Sequence, residues 1–584
     1  MLRMVPGIRL AAATAAPSGV RRVLSPAFPL SARRYTSHNS NTNSAESRAT
    51  VPADLKLSVH ESSIALTAPS LGLTEPFHFD HHWLRDASPH PRDLDPATSQ
   101  KLFHTSDVPI NPAQPLLDPA SPPPAITPEN TVRIAWNPAT PLANAFSALF
   151  SRREPLASSS TSAASTAAQP HIVDYPIEYL LSHASAKAYD QHHADVGGLP
   201  RPWLARHLHP STTAELGPSD FIKALASGSS SQDLLLLADQ LSSRTRPLRV
   251  AWSALDPDSK ATAASGPEAE TARKLALFTL LASLLRDGVS FVTGLPTSPT
   301  GPQTAYLNHL ASLTGEIRHT FYGHTWNVRS LGAASRNIAY TNLDLGLHMD
   351  LLYFAEPPRF QFLHMLRNKV RGGESIFVDS FAVAEMVWKQ DREAWNILAD
   401  TPVEFHYEND GRHYRFTHPT FVRASRSTGL DGAPLPSIYE AGSGPAEPMP
   451  RLACISYSPP FQAPIPLHPP HLRHAASSSA GLSLTQRAAF FSALDLFARL
   501  SLSEEVLYEH RMQEGECVIF DNRRVLHSRR GFEGNEDEAS VPADEQDEDA
   551  KYKRWLKGCY VDGDAVWSAY RALRTQLRKH NASR

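Results

Sequence analysis

Cysteine is scarce. Three residues, Cys454, Cys517 and Cys559, in a chain of 584 are too few and too scattered for a disulfide framework or a four-thiolate zinc site. Long apolar runs are missing too. The longest, Leu275 to Leu285, falls far short of the roughly 20 residues that cross a bilayer. Neither sign of charge dominates: 56 Lys and Arg stand against 59 Asp and Glu, a net charge of −3. That balance argues against a nucleic-acid partner or a membrane surface held by a basic field. No internal repeat is visible. The composition is 41% hydrophobic and 20% charged, which supports a sizeable core and excludes wholesale disorder. At about 100–200 residues per domain, the length predicts two to four units.

Acidic residues are absent from the start until Glu46, while Arg3, Arg9, Arg21, Arg22, Arg33 and Arg34 lie among Ala, Ser, Val and Leu. That pattern predicts a mitochondrial transit peptide over residues 1–45 and a matrix location. Ser, Ala, Thr, Gly and Pro crowd 155–169, 225–232, 255–267 and 424–450, stretches with too little apolar surface to offset ordering entropy. Residues 533–550 are acidic with no basic residue and read as a solvated loop.

Between these stretches lie short strand patterns at Leu57–Val59, Ser63–Leu66 and Val132–Trp136. Pro267 opens a helix that Asp287-Gly288 closes, and a strand follows at Val289–Val292. Asp379 caps a helix running through Ala382, Met386, Trp388 and Trp395. Thr485 to Leu500 is amphipathic. Further strands fall at Glu404–Tyr407, Cys454–Tyr457 and Cys517–Phe520. The sequence therefore predicts a small β-rich unit followed by a larger α+β, mainly β, unit built on many short strands.

Within that larger unit, Leu347-His348-Met349-Asp350 places His348 and Asp350 at i and i+2, on one face of a strand. A third ligand is needed, and His527, at the end of a hydrophobic strand that follows Gly515, supplies it. Two His and one carboxylate on one face of an octahedron leave three positions open, the pattern of non-haem Fe(II) oxygenases. Such an iron needs electrons to activate O2. 2-Oxoglutarate provides two by decarboxylation and chelates the metal. Its far carboxylate calls for an arginine. Arg554, beside the aromatic strand Trp555–Tyr560, is the first candidate. Arg523, Arg524, Arg529 and Arg530 stay open by spacing, and Arg367 is a possible helper.

These residues sit in a wider set. Asp80-His81-His82-Trp83-Leu84-Arg85-Asp86, Phe321-Tyr322-Gly323-His324-Thr325-Trp326, Asn337-Ile338-Ala339-Tyr340-Thr341, Gly372-Gly373-Glu374-Ser375, Asn522–His527 and Gly558-Cys559-Tyr560-Val561-Asp562 occur in one order. Over roughly 75–584 the chain resembles the gamma-butyrobetaine and trimethyllysine dioxygenase family, of TauD/TfdA type. The resemblance implies a double-stranded β-helix (jelly-roll) domain over 271–584. Before it come a small N-terminal domain over 50–210 and a linker with inserts over 211–270. It also implies Fe(II), 2-oxoglutarate and O2 as cofactors, ascorbate as reductant, and a homodimer. His348, Asp350 and His527 fall on its iron-ligand positions, and Arg554 and Arg367 on its 2-oxoglutarate positions. Tyr322, Trp326, Tyr340 and Tyr560 match an aromatic cage. A trimethylammonium group has no N–H to donate, and aromatic faces hold it by cation–π attraction. Asn337 is a further substrate contact.

The expected activity is hydroxylation of gamma-butyrobetaine to carnitine. The alternatives are the same chemistry on trimethyllysine, a taurine-like or another small acid, and a jelly-roll that binds a small molecule or metal without turnover. Two departures bear on the substrate. Leu351 replaces a cage Tyr, and Tyr457-Ser458-Pro459-Pro460 replaces an Asn pair. A third concerns structural zinc: Ser88, His90, Asp93 and His171 occupy its four positions without a thiolate. That leaves His90, Asp93 and His171 as a weak three-ligand set.

Overall fold

The computed structural model describes residues 53–583 except 110–114, 138–169, 185–199, 209–214, 228–233, 259–265, 330–342, 425–435, 466–482, 535–551 and the single positions 72, 96, 99, 245, 257, 410 and 441. The expected transit segment and the acid-rich stretch from 535 onward lie outside the described residues. The chain divides into two units, at Ala184 and Ser185.

In the first unit, β1 (Lys56–Val59), β2 (Ser63–Ala68) and β3 (Leu73–Asp80) form an antiparallel sheet. The chain then enters the short helix α1 (His81–Asp86), which Asp80 caps by accepting from the Trp83 amide. A second sheet pairs β4 (Thr131–Trp136) with β5 (His171–Pro176), and α2 (Ile177–Ser182) follows. Ile64, Leu66, Phe79, Val132, Ile134, Trp136, Val173 and Tyr175 close the core.

The second unit opens with α3 (Pro218–Ser227) and α4 (Leu234–Ser242). These helices occupy part of what the sequence offered as linker, because Phe221, Leu225, Leu234, Leu237 and Leu241 supply an apolar stripe that the flanking Ser and Gly obscure. Next come β6 (Leu248–Ala251) and α5 (Pro267–Asp287). Pro267 and two acidic residues set the start of α5, Arg286 lies in its last turn, and Gly288 ends it at φ 77°. The chain continues through β7 (Val289–Thr293), β8 (Trp326–Arg329), β9 (Leu345–His348), β10 (Phe360–Asn368) and β11 (Ser375–Asp379).

The helix expected after Asp379 is two helices, α6 (Ser380–Gln390) and α7 (Arg392–Asp400). Asp391 breaks the run in an extended conformation and caps α7 through the Ala394 amide. α8 (Leu484–Ser501) begins at a Ser483–Gln486 capping box. The last elements are β12 (Tyr508–His510), β13 (Cys517–Asp521), β14 (Val525–Arg529), β15 (Arg554–Val561) and α9 (Gly563–Ser583).

Two sheets result. The larger runs β6-β7-β13-β10-β15-β8 and the smaller β9-β14-β11-β12. Within them only β6 and β7 pair in parallel. Val289, Phe291, Met365, Phe520 and Leu556 of the first pack on Phe377, Tyr508 and Val525 of the second, so the sheets form a sandwich of jelly-roll type. Period-2 alternation sorts the side chains. In β10, Phe360 and Phe362 join Leu281 of α5 and Tyr570 of α9, while Gln361 and Leu363 face a cavity between the sheets. The outer side of the smaller sheet is covered by Phe381, Trp395, Phe490 and Phe497 of α6, α7 and α8. Beneath them Arg524 pairs with Asp379 at 2.6 and 3.0 Å, with both side chains fully buried, and donates to the carbonyls of Arg286 and Arg201. Among the described residues, no helix is long and apolar enough to cross a membrane.

Candidate active site

Antiparallel pairing of β9 with β14 sets His348 directly opposite His527, with ring centroids 4.2 Å apart. Asp350 meets them from the turn after β9: its Oδ1 is 3.4 Å from His348 Nε2 and its Oδ2 is 3.9 Å from His527 Nε2. One donor atom from each of the three lies within 4.8 Å of the others. Strand periodicity is therefore not what unites His348 and Asp350, because β9 ends at His348. His527 sits within β14 and not at a strand end, since a turn at Asn522–Arg524 splits the expected strand in two.

The donor chemistry fits a divalent metal. His348 Nδ1 donates to the Gly346 carbonyl at 2.8 Å, which leaves the Nε2 lone pair free for a ligand bond. His527 is buried, with an Nδ1 that meets no partner among the described residues. Burial, with the nearby His348 charge, holds His527 down at about 3, so it stays neutral as a ligand must. At His348 burial opposes the charge, but the hydrogen bond and charge of Asp350 outweigh it and raise the pKa. Burial works against the Asp350 charge, but the hydrogen bond with His348, the positive charge that His348 carries when protonated and the hydrogen bond from Tyr560 outweigh it and hold Asp350 well below the usual carboxylate range. Gln361 Nε2 and the Tyr560 hydroxyl both donate to its Oδ2, at 3.0 and 2.9 Å.

The same cavity ends in two arginines. Arg554 and Arg529 line it with Ser375 and Ser528. Arg554 is buried; its Nη2 donates to the Gly373 carbonyl at 3.2 Å, and its Nε has no partner among the described residues. Burial and the Arg529 charge bring Arg554 down to about 9, and burial brings Arg529 down to about 10. Two desolvated guanidiniums side by side favour an incoming dianion. Gly373 leaves room for Arg554: at φ 72° it is in a glycine conformation, and a Cβ there would lie 3.0 Å from Arg554 Nε. The other arginines point elsewhere. Arg523 meets Cys454 and Ser456, Arg524 meets Asp379, and Arg530 meets Glu509. Arg367 lies on β10 opposite Trp555 and is not among the residues that line the cavity.

Beyond the metal trio, Tyr322, Trp326 and Tyr560 form an aromatic wall. Trp326 stacks on Tyr560 at 4.2 Å and stands 6.1 Å from Tyr322. The stack requires Gly558, where a Cβ would fall 2.6 Å from the indole. Leu351, Tyr353, Pro460 and Phe461 complete the wall. Sequence reasoning missed Gln361, Tyr353 and Phe461. For Gln361 a signal existed, as the polar residue between Phe360 and Phe362 in an otherwise apolar strand. Asn337 and Tyr340 lie outside the described residues.

In the first unit His90, Asp93 and His171 do come within 4.8 Å of one another, but their bonds are satisfied within the protein. Asp93 Oδ2 accepts from Ser88 and from His171 Nε2, each at 2.6 Å, and faces Arg85 Nη1 at 3.0 Å; Oδ1 accepts from Arg85 Nη2 at 3.1 Å. His90 Nδ1 accepts from the Arg92 amide. A guanidinium already neutralises the carboxylate, so this donor set does not fit zinc.

The model of the taurine catabolism dioxygenase TauD, TfdA family matches residues 255–560, which contain the metal trio, both cavity arginines and the aromatic wall. The chain is 43% identical over 289 residues to dioxygenase str8 of Strobilurus tenacellus, covering 50% of this chain and 57% of that protein. It is 31% identical over 293 residues to the gamma-butyrobetaine dioxygenase of Pseudomonas sp. (strain AK-1), covering 50% and 61%. It is 27% identical over 304 residues to mitochondrial trimethyllysine dioxygenase of Bos taurus, covering 52% and 59%. The alignments thus span less than two thirds of those relatives' length. A match over more than half of the chain, enclosing every element of the cavity just described, makes this protein a member of the taurine catabolism dioxygenase TauD, TfdA family.

Proposed function

We propose that the chain is an Fe(II)- and 2-oxoglutarate-dependent dioxygenase that hydroxylates a C–H bond of a small trimethylammonium acid, with gamma-butyrobetaine as first candidate. One observation carries this reading: two histidines, a carboxylate and a pair of buried arginines share one cavity. Bound together, iron, 2-oxoglutarate and O2 supply an oxidation in which 2-oxoglutarate leaves as succinate and CO2 and one oxygen atom enters the substrate as hydroxyl. Each protein group has a part in it. His348, Asp350 and His527 hold the metal. Arg554 and Arg529 offer donors to the far carboxylate. Gln361 and Tyr560 keep the Asp350 carboxylate aimed. Tyr322, Trp326 and Tyr560 offer ring faces to a cation, at about 0.5–2 kcal/mol per favourable contact, and seating the cation decides which C–H lies near the metal.

The test is succinate release by iron-loaded protein with ascorbate across a substrate panel. Stimulation by gamma-butyrobetaine is expected; stimulation only by other compounds overturns the substrate, and no turnover with any of them overturns the enzyme. A second reading, the same chemistry on a substrate without the quaternary amine, is favoured by the apolar wall of Leu351, Pro460 and Phe461. We further propose a mitochondrial location, supported by the arginine-rich, acid-free first 45 residues. Imaging of a C-terminal fluorescent fusion tests it, and a cytosolic signal overturns it.

A further inference from the structure

The Asn522 side chain grips the main chain of Asp350, 172 residues away in sequence. Its Oδ1 accepts from the Asp350 amide at 2.8 Å. Its Nδ2 donates to the Asp350 carbonyl at 3.0 Å and to the Pro358 carbonyl at 3.3 Å. The amide orientation follows from the partners: one donor faces the oxygen and two acceptors face the nitrogen, so a flipped amide would lose all three bonds. Asn522 is fully buried, and its own amide donates to the Arg359 carbonyl at 2.7 Å.

The place of this grip matters. Asp350 stands outside β9, so no strand ladder holds its backbone. Leu351, immediately after it, has φ 62°, a left-handed conformation that costs a non-glycine residue about 1 kcal/mol or more and persists only where neighbours impose it. Before it, the Met349 amide donates to the Tyr457 carbonyl at 2.9 Å. Gln361 and Tyr560 fix the carboxylate end, and Asn522 fixes the backbone end. Asn522 also opens the turn into β14, which carries His527. One turn therefore presents one ligand and locks the backbone that presents another.

We propose that Asn522 is a positioning residue for the metal centre. It fixes where Asp350 stands relative to His527, and thereby the affinity of the site for a divalent ion. The inference rests on the metal-centre reading above, and the experiment separates the two. Metal-free full-length protein is titrated with Mn(II), with free ion read by electron paramagnetic resonance, at a temperature where melting curves show each variant folded. Wild type is expected to bind one ion, and Asn522→Ala to bind about 10- to 100-fold more weakly, the usual loss for an outer partner of a metal ligand. Asn522→Ser, which can restore at most one of the bonds, is expected to fall between them and serves if the alanine variant does not fold. Arg359→Gln is the control: it loses the ion pair to Asp521 in the same neighbourhood without touching Asp350, and is expected to melt earlier yet bind Mn(II) like wild type. Folded Asn522 variants with wild-type affinity overturn the positioning role. So does an equal loss in Arg359→Gln, which would make the effect one of general packing. A wild type that binds no Mn(II) overturns the metal centre itself.

Discussion

The Tyr560 hydroxyl donates to Asp350 Oδ2 at 2.9 Å while its ring stacks on Trp326 at 4.2 Å. One side chain thus serves both the metal ligand and the substrate wall, and two substitutions separate these duties. Tyr560→Phe keeps the ring and removes the bond to the carboxylate; metal affinity is expected to fall about tenfold, the scale of a hydrogen bond to a charged acceptor, with substrate KM little changed. Tyr560→Leu is expected to weaken metal binding similarly and to raise KM as well. Metal titration beside steady-state kinetics reads both, and a Phe variant with unaltered affinity refutes the first duty.

Arg554 lies buried in the cavity beside Arg529, and its Nε meets no partner among the described residues. Arg554→Met is expected to weaken 2-oxoglutarate binding at least 30-fold, about 2 kcal/mol or more for removing one partner of a buried charge pair. Arg554→Lys recovers part of this, because an ammonium lacks the planar fork. Calorimetric titration with 2-oxoglutarate and Mn(II) measures both variants.

Removing His348 leaves two protein ligands. His348→Ala is expected to abolish iron-dependent 2-oxoglutarate turnover while the metal-free protein still melts in a cooperative transition, because the ring's contacts to the Gly346 carbonyl and Asp350 are a small part of the sandwich core. Retained turnover in this variant would remove the metal assignment.

Asp93 in the first unit titrates low. Its burial would raise the pKa, but the hydrogen bonds from His171, Ser88 and Arg85 prevail and bring it to about 2. A depressed carboxylate stabilises the fold above its unfolded pKa of about 3.8, and that stability is lost as pH falls from about 4 toward 2. The contribution is about 2 kcal/mol. Asp93→Asn is expected to unfold earlier in urea at pH 6, with the gap from wild type closing toward pH 2. A gap that does not change with pH would show that packing alone is at stake.

Local signals read out well. Pro267 and Gly288 bound α5, and Asp379 caps α6, because each acts on backbone groups within a few residues. Features decided by distant partners did not read out. The split at Asn522–Arg524 depends on Asp350 and Arg359, more than a hundred residues earlier, which take up the polar groups of the turn. Spacing could name several arginines for the cavity but could not rank them. Arg524 and Arg529 are five residues apart, yet one meets a carboxylate outside the cavity and the other lines it. The pairing of His348 with His527 follows from register across two strands, which no local pattern encodes.

The position of Arg554 owes little to the connection that precedes it. Eight register partners from Asn368 to Phe360 hold β15 along β10, so the ladder, and not the tether, delivers the guanidinium to the cavity. The connection between Gly534 and Tyr552 can then grow almost without penalty, since doubling a connection costs only about 0.6 kcal/mol in closure entropy. The acid-rich stretch becomes a natural place to splice in a tag or reporter domain, one that leaves the oxidation chemistry running while it is monitored.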